Sequence, residues 1–296
     1  MKKTLAMMTA AVMVAGALAG CGSSNSTPAA TTAAATTAAA TEAATDAATT
    51  EAGDTAAAAE GTVKTPSGKF TVGFDQEFPP MGFVGDDGQF TGFDLDLAKE
   101  VASRLGLEFV PQPINWDAKD MELDSGNIDC IWNGFTMQGR EDDYTWVGPY
   151  MANNQVFVVT ADSDIATKAD LAGKAVEVQK DSSGLAALQG EAELSASFGS
   201  MTEVADYNTA LMDLESGACD AVCMDSIVAG YQIKSSGKDM KILDDTLSAE
   251  EYGIGFKKGE DELAKAVHDT LMDMKDDGTV AKISNDWFGS DVFTLK

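Results

Sequence analysis

The chain has 296 residues, with 48 acidic against 20 basic side chains and a net charge of −28 at pH 7. This charge argues against nucleic acid and anionic lipid headgroups as partners, because both are densely negative. His268 is the only histidine, which leaves little for a metal site, so we expect no metal and no cofactor.

The first 21 residues have the pattern of a secretory signal. Lys2 and Lys3 precede an apolar run, residues 5–18, that is too short to cross a bilayer comfortably as a permanent helix. Leu-Ala-Gly-Cys follows at residues 18–21 and resembles the lipobox of bacterial lipoproteins, in which the cysteine is acylated and becomes the new N-terminus. A plain signal peptide with a chance cysteine is the alternative. We expect residues 1–21 to direct export, with Cys21 anchoring the chain to the lipid membrane.

Residues 22–61 are almost entirely Ala, Thr, Ser, Gly and Glu, without an aromatic or large aliphatic side chain. Such a segment cannot bury enough apolar surface to offset its ordering entropy, so a disordered stalk is predicted. The remaining residues suffice for one large domain or two of ordinary size.

The first predicted elements alternate between strand and helix. Residues 70–74 alternate as a strand, and residues 83–90 predict a hairpin with Asp-Gly at its turn. Asp94 is expected to cap a helix that ends at Gly106. A further strand is predicted at residues 107–110.

An internal repeat indicates two similar units. Met-Glu-Leu-Asp-Ser-Gly-Asn-Ile-Asp-Cys-Ile at residues 121–131 matches Met-Asp-Leu-Glu-Ser-Gly-Ala-Cys-Asp-Ala-Val at residues 212–222. Each copy ends a helix at Ser-Gly, where glycine supplies the left-handed cap, and then enters a short apolar strand. Two α/β lobes are therefore predicted, with chance similarity of a short unit as the alternative.

The second half of the chain continues the alternation. Strands are predicted at residues 175–179 and 240–243, and helices at residues 207–215 and 227–233, with a further helix after the Ser-Ser-Gly turn that follows the first of these strands. Residues 261–288 are predicted to be helical and to form a surface layer. This alternation favours mostly parallel sheets.

Three cysteines follow Cys21, namely Cys130, Cys219 and Cys223, and all lie in apolar runs. An odd number leaves at least one thiol unpaired. If residues 219–223 form a strand, the last two cysteines are about 13 Å apart on one face, too far for a disulfide. Buried small hydrophobic side chains are the preferred interpretation.

Binding sites in open α/β sheets lie beyond the carboxyl ends of the strands. This rule selects residues 75–81, 133–140, 179–184 and 224–225. These segments contain one arginine, two well-placed carboxylates, hydroxyls and an aromatic residue. A zwitterion needs this combination, because arginine can grip its carboxylate and aspartate its ammonium group.

At these segments the chain resembles the family 3 extracellular solute-binding proteins, the amino-acid receptors of ABC importers. The matching motifs include Val-Gly-Phe-Asp-Gln-Glu-Phe-Pro-Pro-Met at residues 72–81, Thr-Gly-Phe-Asp-Leu-Asp-Leu-Ala at 91–98, Asn-Gly-Phe-Thr at 133–136 and Tyr-Gly-Ile-Gly-Phe at 252–256. The resemblance runs from about Lys69 to Phe288. It implies an α/β, two-lobed periplasmic-binding-protein type II fold with two crossover hinge strands. Lobe 1 would comprise residues 62–159 and 251–296, and lobe 2 residues 160–250.

The resemblance also implies residue roles. Arg140 matches the arginine that grips the ligand carboxylate, and Asp225 the aspartate that takes the ammonium group. Phe78 and Trp116 match aromatic residues that sandwich the ligand side chain, and Asp75 a position near its end. The full set of expected ligand-binding residues is Asp75, Phe78, Trp116, Asn133, Gly134, Thr136, Arg140, Gln179, Ser182, Ser183 and Asp225.

Each of these residues has a simpler interpretation. Phe78 and Trp116 could be core aromatics, Asp75 and Asp225 could cap a turn and a helix, and Arg140 could belong to a solvated charge cluster. The sequence also departs from the family, since Gln-Lys-Asp at residues 179–181 replaces the small residues common before the Ser-Ser turn.

The function implied is capture of a free amino acid, polar or cationic rather than acidic, by hinge closure. The partner would be the membrane permease of an ABC transporter, and the protein would be an extracytoplasmic, lipid-anchored monomer without enzymatic activity. The alternative is a dehydratase-like enzyme on the same fold, for which Glu77 is the candidate acid or base.

Overall fold

The structure is a computed structural model that describes residue 65 and residues 67–296. The predicted signal, lipobox and stalk fall on residues outside this part. The strands are β1 (Lys69–Phe74), β2 (Glu77–Phe78), β3 (Gly82–Val84), β4 (Phe90–Thr91), β5 (Glu108–Pro113), β6 (Cys130–Thr136), β7 (Tyr144–Thr160), β8 (Ala175–Gln179), β9 (Ser200–Val204), β10 (Ala221–Asp225), β11 (Met240–Ile242) and β12 (Ser248–Lys257). The α-helices are α1 (Phe93–Leu105), α2 (Lys119–Ser125), α3 (Ser183–Gly190), α4 (Ala192–Ser197), α5 (Tyr207–Ser216), α6 (Ser226–Ser236), α7 (Asp261–Asp276) and α8 (Thr279–Phe288). Over this part of the chain, no helix combines the length and apolar character needed to cross a bilayer.

Two long strands connect the two lobes. The main sheet has the order β5-β1-β6-β12-β7-β10-β8-β9, and β11 also pairs with β7. Strand β7 has 17 residues and β12 has 10, and they pair with each other along most of β12. On one side of this pair lie β6, β1 and β5 of the first lobe. On the other lie β10, β8 and β9 of the second lobe, so β7 and β12 are the crossover hinge strands.

The prediction of mostly parallel sheets is wrong at the centre of the molecule. The pairs β1–β5, β1–β6, β8–β9 and β8–β10 are parallel, as βαβ connections require. The crossover strands instead run antiparallel to each other and to β6, β10 and β11. The sequence pattern of each lobe gave no indication of these pairings, because they join segments distant in the chain.

The internal repeat is confirmed in structure. Helix α2 ends at Gly126, with φ of 75°, and helix α5 ends at Gly217, with φ of 78°. Both glycines therefore occupy the left-handed region, which carries a steric cost for other residues. A buried strand follows in each copy, β6 in the first lobe and β10 in the second. The predicted hairpin also forms, with β3 antiparallel to β4.

Asp94 does not cap helix α1, contrary to prediction. Gly92 is the cap residue, and Asp94 lies fully buried in the first turn. Its Oδ2 accepts hydrogen bonds from the Gly134 amide at 2.7 Å and the Tyr150 hydroxyl at 2.8 Å. Burial raises the pKa of Asp94 to about 7. This carboxyl group thus ties α1 to β6 and β7 beneath the site described below.

The three later cysteines are free and buried, as predicted. Cys130 lies in β6 and Cys223 in β10, whereas Cys219 precedes β10 rather than lying in it. The helical segment predicted at residues 261–288 is two helices, α7 and α8. They are separated at Gly278, which has a φ of 85°.

Candidate functional site

A small cavity lies between the lobes, at the carboxyl ends of β6, β8 and β10. Its lining consists of Phe78, Trp116, Gly134, Thr136, Arg140, Gln179, Ser182, Ser183 and Asp225. All nine are among the eleven predicted site residues. The other two lie beside it, since the Asp75 amide donates to Asn133 Oδ1 at 3.0 Å and Asp75 lines an adjoining groove.

Arg140 lines the cavity and is held by backbone oxygens. Its Nη1 donates to the Thr136 carbonyl at 3.2 Å, and its Nη2 donates to the Asp181 carbonyl at 3.2 Å. The guanidinium group lies 5.1 Å from the centre of the Phe135 ring. Among the described residues no carboxylate forms an ion pair with Arg140. This arrangement differs from a solvated charge cluster and leaves the cation available to an anion in the cavity.

The turn before helix α3 adds hydroxyl and amide groups to the cavity lining. Ser182 caps the helix, because its Oγ accepts from the Leu185 amide at 3.1 Å. Ser183 extends towards the first lobe and accepts from the Thr136 hydroxyl at 3.1 Å. A helix N-terminus and two hydroxyl groups favour a negatively charged ligand group at this position.

Asp225 also lines the cavity and is 3% exposed. Its Oδ1 accepts from Asn153 Nδ2 and from the Tyr252 hydroxyl, each at 2.7 Å, and its Oδ2 accepts from the Tyr207 hydroxyl at 3.2 Å. The side chain makes no capping bond to helix α6. Desolvation, followed by the nearby Glu250 carboxylate, raises the pKa of Asp225. A ligand cation would therefore be strongly favoured here.

Glu250 and its neighbours lie beside the candidate site and were not predicted from the sequence. Glu250 is 5% exposed, and its Oε1 accepts from Asn153 Nδ2 at 2.6 Å and Gln155 Nε2 at 2.9 Å. The Ser183 hydroxyl also points to it at 3.4 Å. Strand alternation could have indicated a buried carboxylate here. Adjacent residues of a strand point to opposite faces, so one of Glu250 and Glu251 must face inward.

Aromatic rings form the walls of the cavity. Phe78 packs against Tyr207 with ring centres 5.8 Å apart, and Trp116 meets Phe135 edge-on at 5.5 Å. Phe78 and Trp116 are largely buried yet border the cavity, so they serve both the core and the site.

An acidic groove adjoins the cavity. Its lining includes the carboxylates Asp75, Glu77, Asp117, Glu122 and Asp206, together with Lys180. Burial is the main cause that raises the pKa of Asp75 to about 6. Asp75 Oδ1 accepts from the Glu77 amide at 2.9 Å, and its Oδ2 accepts from Gln179 Nε2 at 2.6 Å. Asp75 therefore both shapes a turn and faces the second lobe.

The lobes are closed on one another through direct polar contacts. Besides Gln179 to Asp75, the Asn208 amide group donates to the Glu77 carboxylate, and Lys119 forms an ion pair with Asp181. Each contact joins one residue of the first lobe to one of the second. The described residues contain no group of three or more His, Cys, Asp or Glu side chains arranged to hold a metal ion.

Three comparisons relate this chain to known proteins. The L-cystine-binding protein TcyJ of Escherichia coli (strain K12) is 32% identical over 231 residues, which span 76% of this chain and 84% of that protein. A substrate-binding protein of an ABC uptake transporter from Streptococcus pneumoniae, solved with bound histidine, is 35% identical with a TM-score of 0.75, covering 77% of this chain and 95% of that one. Tv2483 bound to L-arginine is 28% identical with a TM-score of 0.73, covering 77% and 93%.

The family comparison spans nearly the whole described chain. Residues 70–290 match the sequence profile of the bacterial extracellular solute-binding proteins, family 3. The match includes both lobes, both crossover strands and every residue that lines the cavity. The chain therefore belongs to the bacterial extracellular solute-binding proteins, family 3.

Proposed function

We propose that this protein captures a free amino acid between its lobes and presents it to the permease of an ABC importer. The observation that carries the proposal is the charge arrangement of one small cavity. Arg140, the N-terminus of α3 and the buried carboxylate of Asp225 all line it. An α-amino acid carries the complementary carboxylate and ammonium groups.

The preferred ligand has a polar or cationic side chain. Asp75 borders the cavity through Gln179, and the adjoining groove contains five carboxylates. A negative side chain would be repelled there, whereas a cation or a second ammonium group would be attracted. One relative is named for cystine, and two solved relatives hold histidine and arginine. Each of these amino acids can place positive charge beyond its α-carbon.

Capture would proceed by closure of the lobes about β7 and β12. Residues of both lobes line the cavity, so a ligand held there contacts both and favours the closed form. Water is excluded on closure, which strengthens the charged contacts there. We place the lobe boundaries within these strands, near residues 159–160 and 250–251.

Anchoring is proposed from the sequence alone. Acylation of Cys21 would hold the protein at the outer face of the membrane, with residues 22–61 as a tether, and it would act there as a monomer. Replacing Cys21 with Ser should release the protein from the membrane fraction of expressing cells. Retention of the variant in that fraction would contradict the proposal.

Arg140→Ala tests the binding site. Loss of the guanidinium group leaves a ligand carboxylate buried without its partner, so we expect binding weaker by about 2–5 kcal/mol in calorimetry. Arg104→Ala is the matched control, because Arg104 is the other arginine of the folded part and pairs with Glu100 and Asp277 on the surface. Equal affinity in the wild type and in Arg140→Ala would refute the site assignment.

The enzymatic alternative centres on Glu77. Its carboxylate accepts a hydrogen bond from Asn208 of the second lobe and lies in the acidic groove rather than in the cavity. We therefore propose binding without catalysis. Turnover of a cyclic carboxylic acid by the wild type, lost in Glu77→Gln, would favour the dehydratase instead.

A further inference from the structure

Four polar side chains share one buried face of the hinge strands. Asn153 and Gln155 are two residues apart on β7 and therefore point to the same side. Glu250 of β12 lies directly opposite Asn153, and Asp225 of β10 lies directly opposite Gln155. The two carboxylates thus flank β7 diagonally, with the Asn153 amide group between them.

The Asn153 side chain fixes how close these carboxylates are. Its single Nδ2 donates to Asp225 Oδ1 at 2.7 Å and to Glu250 Oε1 at 2.6 Å. Its Oδ1 is held by the Ser226 hydroxyl at 3.0 Å, so the amide orientation is determined. Two carboxylates that share one NH2 donor in a buried region repel each other strongly when both are ionised.

No cation among the described residues balances this pair. The donors to both groups are neutral amides and hydroxyls, and the described residues place no lysine, arginine or histidine in an ion pair with either. The Oε1 atom of Gln155, on the same face and fully buried, also lacks a hydrogen-bond partner within the described structure. Asp225 borders the cavity and Ser183 links the cavity to Glu250. This face therefore offers carboxylate and amide oxygens that could accept hydrogen bonds from a cation, and the described residues supply no cation to it.

We propose that Glu250 acts with Asp225 as the ammonium subsite, and that ligand binding releases a proton shared by the two carboxyl groups. This inference rests on the proposed function. Before binding, the pair holds one proton and carries a charge of −1. The arriving R–NH3+ group keeps its own protons and displaces the shared proton to water, which leaves two carboxylates around one ammonium group.

The other titratable groups that face Asp225 and Glu250 do not supply the released proton. Tyr207 of α5, Tyr252 of β12 and Cys223 of β10 face it, and burial raises the pKa of each well above its usual range, so all stay neutral. Arg140, a cation, also lines the cavity. Asp75, beside Gln179, is the other nearby carboxyl group able to release a proton on binding.

Proton release is measured by calorimetry in buffers of different ionisation enthalpy at pH 6.5. The probe is whichever of L-arginine, L-histidine and L-cystine stabilises the wild type most in a thermal-shift assay. We expect the wild type to release about one proton per ligand and its affinity to rise by up to about tenfold per pH unit between pH 5.5 and 7. Glu250→Gln should release much less and bind about tenfold more weakly at pH 7.5.

Two further variants isolate the effect. Glu251→Gln changes the same charge on the next residue of β12, which is exposed, and should retain wild-type affinity and proton release. Asp75→Asn, whatever its affinity, should still release about one proton per ligand bound, and this readout stands even if Glu250→Gln fails to fold. Loss of release in Asp75→Asn, or no release by the wild type, overturns the inference while leaving amino-acid binding intact. No binding of any of the three amino acids by the wild type overturns the proposed function and this inference with it.

Discussion

The contact between Lys119 and Asp181 provides a test of lobe closure. Lys119 begins α2 in the first lobe, and Asp181 precedes α3 in the second. The Lys119 side chain is 2% exposed and its Nζ lies 5.2 Å from the centre of the Trp116 ring, whereas Asp181 is 52% exposed. Burial lowers the pKa of Lys119, and the Asp181 carboxylate opposes this effect. Because the partners belong to different lobes, the ion pair stabilises the closed form alone.

The expected magnitude lies between two limits. Breaking a fully buried pair by removing one partner costs about 3–5 kcal/mol, and an exposed pair contributes about 0–1 kcal/mol. With one partner buried and the other half exposed, we expect Asp181→Asn to destabilise the closed form by about 1–2 kcal/mol. Since ligand binds as the lobes close, affinity should fall roughly 5- to 30-fold.

Asparagine is the appropriate replacement because of the backbone at this position. Asp181 has a φ of 53° and is the one non-glycine residue with positive φ among those described. Asparagine tolerates this left-handed conformation, so Asp181→Asn removes the charge without adding backbone strain. Asp181→Gly removes the charge and the steric cost together. Both variants should therefore lose affinity to a similar extent.

Calorimetry gives the affinities, and small-angle X-ray scattering of the ligand-free protein reports closure as the radius of gyration. The control is Glu108→Gln, which removes an exposed ion pair with Lys69 inside the first lobe and should change neither quantity. Unchanged affinity and radius of gyration in Asp181→Asn would refute the view that this pair holds the lobes together.

Three further predictions concern the stability of the fold and the burial of its cysteine thiols. Gly217→Ala should lower the free energy of unfolding by about 1 kcal/mol in urea, through the left-handed backbone alone, because a Cβ there meets no atom within 4 Å. The thiols of Cys130, Cys219 and Cys223 should react with Ellman's reagent far more slowly in the native protein than in guanidinium chloride, because all three are buried and burial raises their pKa. Asp94 binds its proton more tightly when folded, since its pKa rises from 3.8 to about 7. This group should therefore lower the unfolding free energy by up to about 1.4 kcal/mol per pH unit from pH 4 towards pH 7, and denaturation curves of Asp94→Asn should show a correspondingly smaller pH dependence than the wild type.

Local signals in the sequence predicted most elements of the fold. The Ser-Gly ends of the repeated units were reliable because glycine is the residue that enters the left-handed region at low cost. Asp94 was misassigned because an acidic residue at a helix start is typical of capping, and sequence cannot reveal that Gly134 and Tyr150 donate to it. The antiparallel crossover pairing likewise depends on contacts between distant segments.

The site was predictable where it follows strand ends. Nine of the expected residues line one cavity, and seven of them lie at or just after the ends of β6, β8 and β10, which meet at the same edge. Glu250 was missed because it lies inside a crossover strand, where no strand-end rule applies. Lys119 was missed because a lysine in a polar helix is typical of a solvated face, and its burial arises from Asp181 of the other lobe.

The closed lobes show that ligand and protein compete for the same polar atoms. Gln179 donates to Asp75, and Thr136 donates to Ser183, across the cavity that a ligand would occupy. A bound amino acid that displaces either bond must replace it with its own, so the net affinity depends on the difference between ligand–lobe and lobe–lobe contacts. The ion pair between Lys119 and Asp181 does not line the cavity and survives this exchange. Contacts outside the cavity therefore set how readily the lobes close, while the charges within it set which ligand is retained.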